Sequence, residues 1–253
     1  MKIAISIGSY YLSSFVELNI RKCRKIFGAD APILVSDGAS DRSKEIEGIA
    51  GELGAYYIGE RINRGHFSGD MQNTINGLVF GKAHEADIVL KINQRFVLLN
   101  GYIKVILDQI FGHENIAVAL PGRPDKRRIT GKQFYSSFPF LVDCIFMRAN
   151  AFDPAQLKAD YEKAWQSNKS RYDSYIEIFW MNMLNGPMAK RYAVLNCLTD
   201  HAPNVPPMFL RKIQNNAADY IGEAQDCGMT RFEFPLDEWS EIKKESYYPL
   251  PRA

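Results

Sequence analysis

The sequence predicts an α/β domain, a mainly parallel sheet covered by helices on both faces. Two observations carry this prediction. Short apolar runs alternate with segments of helical period through the first 120 residues, and strict β–α alternation implies parallel strands joined by right-handed crossovers. The runs are also short and rich in isoleucine, leucine and valine, as buried strands are. A chain of 253 residues suits one large domain, or one domain with a C-terminal extension.

Residues 3–8 (IAISIG) read as the first strand, ending at Gly8. A helix follows. Ser14 and Glu17 have capping-box spacing, Val16, Ile20, Cys23 and Phe27 share a face, and Gly28 closes it. Residues 32–36 (PILVS) are the second strand, followed by the turn Asp37-Gly38-Ala39-Ser40-Asp41. Ile46, Ile49, Ala50 and Leu53 mark the second helix, which Gly54 ends. Residues 55–58 are a third strand. Ser68 is read as the cap of a third helix whose face holds Met71, Ile75, Leu78 and Val79. Residues 87–92 form a fourth strand, 103–111 a helix, and 116–120 a fifth strand. Residues 121–139 are rich in Gly, Pro, Lys and Arg and read as a loop excursion. Beyond it lie a strand over 140–148, helices over 153–166 and 174–184, a strand near 190–196, and a helical stretch near 208–222.

Composition excludes several classes. Hydrophobic residues make up 46% and charged residues 24%, and the net charge of +2 does not point to nucleic acid. The cluster Lys126, Arg127 and Arg128 reads as a solvated loop. Cys23, Cys144, Cys197 and Cys227 show neither zinc nor disulfide spacing, so a reducing, cytoplasmic setting is expected. No run of about 18 apolar residues spans a membrane. Work on a lipid-linked substrate would therefore be done from the membrane surface or through a partner. G-x-G-x-x-G, G-x-x-x-x-G-K-[ST], H-E-x-x-H and G-x-S-x-G are all absent. Gly8-Ser9-Tyr10 does not supply the Gly-rich, basic phosphate loop of sugar-nucleotide pyrophosphorylases. His66, His84, His113 and His201 are too scattered for a helical metal pair.

In an open parallel sheet, ligands bind outside the carboxyl ends of the strands. The motifs found there, in order, are PILVSDGASDRSKEI, Asn63-Arg64-Gly65 before a helix, the apolar run Ile88 to Ile92, and Leu98-Leu99-Asn100-Gly101-Tyr102. In order and spacing they resemble family 2-type glycosyltransferases of the GT-A fold. The resemblance covers residues 1–110 and, loosely, 140–185. It implies a single GT-A-like domain with a nucleotide-sugar half over 1–110, an acceptor half over 111–210 and a C-terminal extension over 211–253.

By the same resemblance, Ser9 and Tyr10 sit beside the nucleotide, and Asp37 accepts a hydrogen bond from the base or ribose. The competing reading of Asp37 is that it shapes its turn. His66 and Asp70, at the start of the third helix, are donor-site candidates, although Asp70 also suits the helix dipole. The departure is at Asn93-Gln94-Arg95, where the family carries D-x-D holding Mg²⁺ or Mn²⁺. Hard divalent cations want carboxylate oxygens. One amide oxygen at Asn93 is a poor substitute, and Arg95 would repel a cation, so the usual Mg²⁺ or Mn²⁺ site is in doubt, no residue is assigned as a metal ligand, and no other cofactor is expected. Arg95, with Arg64, is instead suited to neutralise the donor diphosphate; otherwise it is an ordinary residue at a strand end.

An inverting transfer needs a carboxylate to take the acceptor proton. Glu177 stands where the family places it, with Asp173 in reserve, and Ser174-x-x-Glu177 is also a capping box. Asp143, in the apolar run FLVDCIFM, either binds an acceptor hydroxyl or pairs with a nearby arginine. Trp165, Trp180 and Tyr172 fit sugar stacking or, more often, core packing, and His201 could reach the donor. The expected activity is transfer from a UDP- or GDP-sugar to a glycan or lipid-linked glycan hydroxyl. The alternatives are a non-catalytic nucleotide-sugar or glycan-binding protein and a nucleotidyltransferase.

Overall fold

A computed structural model describes residues 1–63, 65–122, 140–167, 175–195, 209–211, 217–235 and 245–249. In chain order the elements are β1 (Ile3–Ser9), α1 (Ser13–Phe27), β2 (Ile33–Asp37), α2 (Ser43–Glu52), β3 (Tyr56–Gly59), α3 (Gly65–Ala83), β4 (Ile88–Asn93), β5 (Phe96–Leu98), α4 (Tyr102–Phe111), β6 (Val118–Pro121), β7 (Cys144–Arg148), α5 (Pro154–Ser167), α6 (Tyr175–Asn185), β8 (Tyr192–Leu195), β9 (Phe209–Arg211), α7 (Ala217–Asp226), β10 (Arg231–Pro235) and β11 (Glu245–Pro249). Seven strands make one sheet in the order β3-β2-β1-β4-β7-β6-β8. All its pairings are parallel except those of β7, which runs antiparallel to β4 and β6. The expected α/β fold, with a mainly parallel sheet, is what forms.

The sheet has two unlike faces. Ile3, Ile5 and Ile7 of β1 join Ile33, Val35, Leu90 and Ile92 under α1, α2 and α4 in one core. On the other face, α3, α5 and α6 pack over Val89, Val118, Ile145 and Met147. There β1 offers the small residues Ala4, Ser6 and Gly8, and α3 comes down close. A Cβ at Gly77 would lie 2.7 Å from the Ser6 Cβ, and one at Gly81 would lie 2.3 Å from a Val89 methyl. That approach lets Asn73 of α3 accept from the Ser6 hydroxyl at 2.7 Å and donate to the Ile92 carbonyl at 3.3 Å, bridging β1 and β4.

A third core joins the N-terminal part of α1 to the C-terminal elements. Leu12, Phe15, Leu18 and Val97 pack with Tyr220, Ala224, Met229, Phe232 and Phe234. The helical stretch expected near 208–222 is instead β9, paired antiparallel with β5, and then α7. β5 has no counterpart in the sequence reading. Among the described residues no helix is long and apolar enough to cross a membrane.

Two expected caps do not form. α1 begins at Ser13 with Leu12 as its N-cap and no side-chain cap. The Ser14 hydroxyl accepts from the Glu233 amide at 3.2 Å, and Glu17 pairs with Arg21. Tertiary contacts with β10 have taken the hydroxyl that a lone helix would spend on itself. α3 begins at Gly65, so Ser68 lies inside it; its hydroxyl lies 3.5 Å from that of Tyr161. Val79, expected on the buried face of α3, is 54% exposed.

Candidate active site at the carboxyl ends of β1 and β4

The chain runs from β1 outward through β2 to β3, then crosses back to β4 on the other side of β1. The crevice of an open α/β sheet falls at such a reversal. Register places Gly8 opposite Asn93 and Ser9 opposite Asp37, so these residues share the carboxyl edge.

At the end of β4, the Asn93 amide donates to the Asp143 carbonyl at 2.8 Å, and its side-chain Nδ2 stands 3.4 Å from Asp143 Oδ1. Both residues are half-buried. The structure thus brings together a donor-site candidate and a catalytic candidate that lie 50 residues apart. Arg95 follows in the turn, half-buried, and forms none of the ion pairs found among the described residues. Its carbonyl accepts from the Tyr220 hydroxyl at 2.9 Å, which ties the turn to α7.

One step below the rim lies a buried ion pair. Lys91 is fully buried, with Nζ 2.5 Å from Asp70 Oδ1 and donating to the Val142 carbonyl at 2.8 Å. Strand alternation puts Lys91 on the same face as Asn93, about 7 Å beneath it. Asp70 lies beyond the first turn of α3, so its partner is Lys91 and not the helix dipole. Lys91 was missed in the sequence. The signal was there: a lysine inside the apolar run IVLKIN must find a counter-charge.

The end of β2 is closed. Asp37 is fully buried and accepts from the Ser40 amide at 3.2 Å, the Ser40 hydroxyl at 3.1 Å, the Ser43 hydroxyl and the Tyr57 hydroxyl at 3.5 Å. Its carboxylate shapes the turn and the start of α2. Beside it, Arg42 holds Glu45 and Glu233, while Ser13 donates to Glu45 at 2.8 Å. Partial burial pushes the Glu45 carboxyl up, but the hydrogen bonds from Arg42 and Ser13 outweigh it and hold it below its ordinary value.

After β1, Ser9 is buried, with a hydroxyl that has no hydrogen-bond partner in the structure. Tyr10 is 40% exposed, and its hydroxyl accepts from Asn63 Nδ2 at 3.0 Å. Glu177 stands half-buried in the first turn of α6. Because α6 leads into β8, which is parallel to β6, that turn lies at the carboxyl end of the sheet. Trp180 is fully buried core, whereas Trp165 is partly exposed and stacked on Tyr161. Arg64, Tyr172, Asp173, Ser174, His201 and the side chain of His66 lie outside the described residues.

The fold suggests a divalent metal at the end of β4, but the residues there do not fit one. They are an amide, a carboxylate and an arginine, a poor set for a hard cation. Among the described residues no group of three or more His, Cys, Asp or Glu side chains comes together.

No family model matches the chain, and no curated protein matches it in sequence. Solved structures do match in shape. Glucosyl-3-phosphoglycerate synthase from Mycobacterium tuberculosis, in complex with Mn²⁺, UDP-glucose and phosphoglyceric acid, gives a TM-score of 0.54 at 12% identity, over 99% of this chain and 87% of that one. The same enzyme with Mn²⁺, UDP and glucosyl-3-phosphoglycerate gives 0.53 at 13%, over 100% and 88%. The apo-form glycosyltransferase GlyE from Streptococcus pneumoniae TIGR4 gives 0.50 at 12%, over 78% of this chain and 45% of that one. At these identities the likeness is one of fold, which is that of GT-A-like nucleotide-sugar transferases.

Proposed function

We propose that this protein is a glycosyltransferase that moves a sugar from a UDP- or GDP-sugar to a hydroxyl of a glycan or lipid-linked glycan, with inversion and without a bound metal. Its order of motifs, similar to that of family 2-type enzymes, supports the assignment. The observation that carries it is the juxtaposition at the end of β4: Asn93 stands against Asp143, and Arg95 follows two residues on, half-buried in the next turn. Arg95 neutralises the donor diphosphate in place of a metal, since a guanidinium pairs with phosphate oxygens in bidentate fashion. Ser9 and Tyr10 line the donor side. His66 and Arg64 extend it from the sequence reading.

In the transfer, the acceptor oxygen forms a bond to the anomeric carbon. The bond from that carbon to the diphosphate breaks, and its electron pair leaves with the nucleoside diphosphate. The acceptor proton passes to a carboxylate. Asp143 is the better placed of the two candidates, because it stands at the edge of the crevice in register with Asn93. Glu177 lies at the same end of the sheet, on α6. Work at a membrane surface from the cytoplasm, in polysaccharide biosynthesis, suits a lipid-linked acceptor.

The test is product analysis with a panel of nucleotide sugars and glycan acceptors. Release of nucleoside diphosphate with a new glycosidic bond supports the reading, and release of pyrophosphate identifies a nucleotidyltransferase instead. Asp143→Asn and Glu177→Gln should each leave donor affinity intact, and the one that is the base should lose about 10²–10⁴-fold in turnover. The second reading, a non-catalytic nucleotide-sugar or glycan-binding protein, is favoured by the poor metal-ligand set at Asn93-Gln94-Arg95. Donor binding without turnover on any acceptor would select it.

A further inference from the structure

The segment between β1 and α1 is held by one side chain. Gln94 is 9% exposed. Its Oε1 accepts from the amides of Tyr10 at 2.8 Å and Leu12 at 3.3 Å, while its Nε2 donates to the Tyr10 carbonyl at 2.6 Å. Its own backbone is fixed on both sides: the amide donates to the Gly8 carbonyl at 2.9 Å, and the carbonyl accepts from Asn19 Nδ2 of α1 at 2.6 Å. Between the two clamped residues, Tyr11 has φ of 78°, a left-handed conformation that a bulky residue adopts only under constraint. Leu12, the N-cap of α1, offers no capping side chain. The glutamine amide thus supplies the bonding that the loop itself lacks.

We infer that Gln94 is a positioning residue for the nucleotide site. It holds the Tyr10–Leu12 loop so that the Tyr10 ring faces the crevice. This rests on the donor-site reading of Tyr10. The residue must both donate and accept at once, which an amide does and a carboxylate does not. A residue at the middle of the turn where a metal-binding motif would stand therefore serves the neighbouring loop.

Two variants separate this role from mere stability. Gln94→Glu keeps the two accepted bonds and loses the donated one, whereas the apolar Gln94→Met loses all three. UDP and GDP binding by calorimetry, urea midpoints and amide exchange at Tyr10 and Leu12 are read for each. We expect faster exchange at both amides and a dissociation constant raised about tenfold in Gln94→Glu and further in Gln94→Met. In Gln94→Glu the urea midpoint should also fall, because a buried carboxylate oxygen then meets the Tyr10 carbonyl, so affinity is read under conditions in which the variant is folded. Should Gln94→Met fail to fold, Gln94→Glu carries the test alone. Wild-type binding with unchanged affinity in a folded Gln94→Glu overturns this inference and leaves the donor site standing. No binding of either nucleotide by the wild type overturns both. Faster exchange at Tyr10 and Leu12 with unchanged affinity makes the clamp structural and also overturns the positioning role.

Discussion

The rim of the crevice and the layer beneath it use charge in opposite ways. Where charge is fully buried it is held by the fold: beneath the rim Lys91 meets Asp70 Oδ1 and the Val142 carbonyl, and at the end of β2 Asp37 accepts from three hydroxyls and an amide. At the rim, Asn93, Asp143 and Arg95 are half-buried and stand at the edge of the sheet, where a ligand could reach them. The difference shows why a carboxylate in a cleft loop is a poor guide by itself. Asp37 and Asp70 were as plausible as Asp143 by position, yet Asp37 is fully buried among hydroxyl donors and Asp70 is buried against Lys91. Changes beneath should cost stability, and changes at the rim should cost binding or turnover while the fold holds.

The sharpest way to break this division is Lys91→Met. It strands the buried Asp70 carboxylate, so stability should fall by about 3–5 kcal/mol, read from urea denaturation. Adding Asp70→Leu should restore most of it. If Lys91→Met left stability unchanged, the pair would not be the buried element described. Arg95→Ala should do the reverse. Stability should hold within about 0.5 kcal/mol, while nucleoside diphosphate affinity falls by about 1.5–3 kcal/mol, or roughly ten- to a hundredfold. Equal affinity would remove Arg95 from the site.

Asp37→Asn should cost about 1.5 kcal/mol, because one oxygen that accepts from hydroxyls becomes a donor. A loss of nucleotide affinity larger than this loss of stability would restore Asp37 to the donor site. The smallest effect is on pH. Glu45 is held below its ordinary value in the folded protein, so its contribution is present above its unfolded value of about 4.3 and is lost as pH falls through the lower folded value. Wild type should therefore lose slightly more stability than Glu45→Gln between about pH 5 and 3. Parallel curves would show that Arg42 and Ser13 do not favour the charged form.

The β–α alternation of the first 120 residues was legible because apolar period and Gly endings are local signals. Gly28 and Gly54 do end α1 and α2, both in the left-handed region. What failed was decided by distant contacts. The Ser14 hydroxyl was claimed by Glu233, 219 residues away, and β5 exists through its pairing with β9. The candidate site drew notice at Asn93 and Arg95, where a departure from an expected motif stood out. Lys91 and Gln94 lay beside them, unread, because their roles depend on α3 and on the loop after β1, which no spacing in the sequence connects.

The central claim, a nucleotide-sugar site built around Arg95 without a metal, is tested most directly by calorimetry of UDP, GDP and their sugars in EDTA and then in Mn²⁺. Binding should occur in EDTA and be weakened by Arg95→Ala. Binding confined to Mn²⁺, or none under either condition, would contradict it.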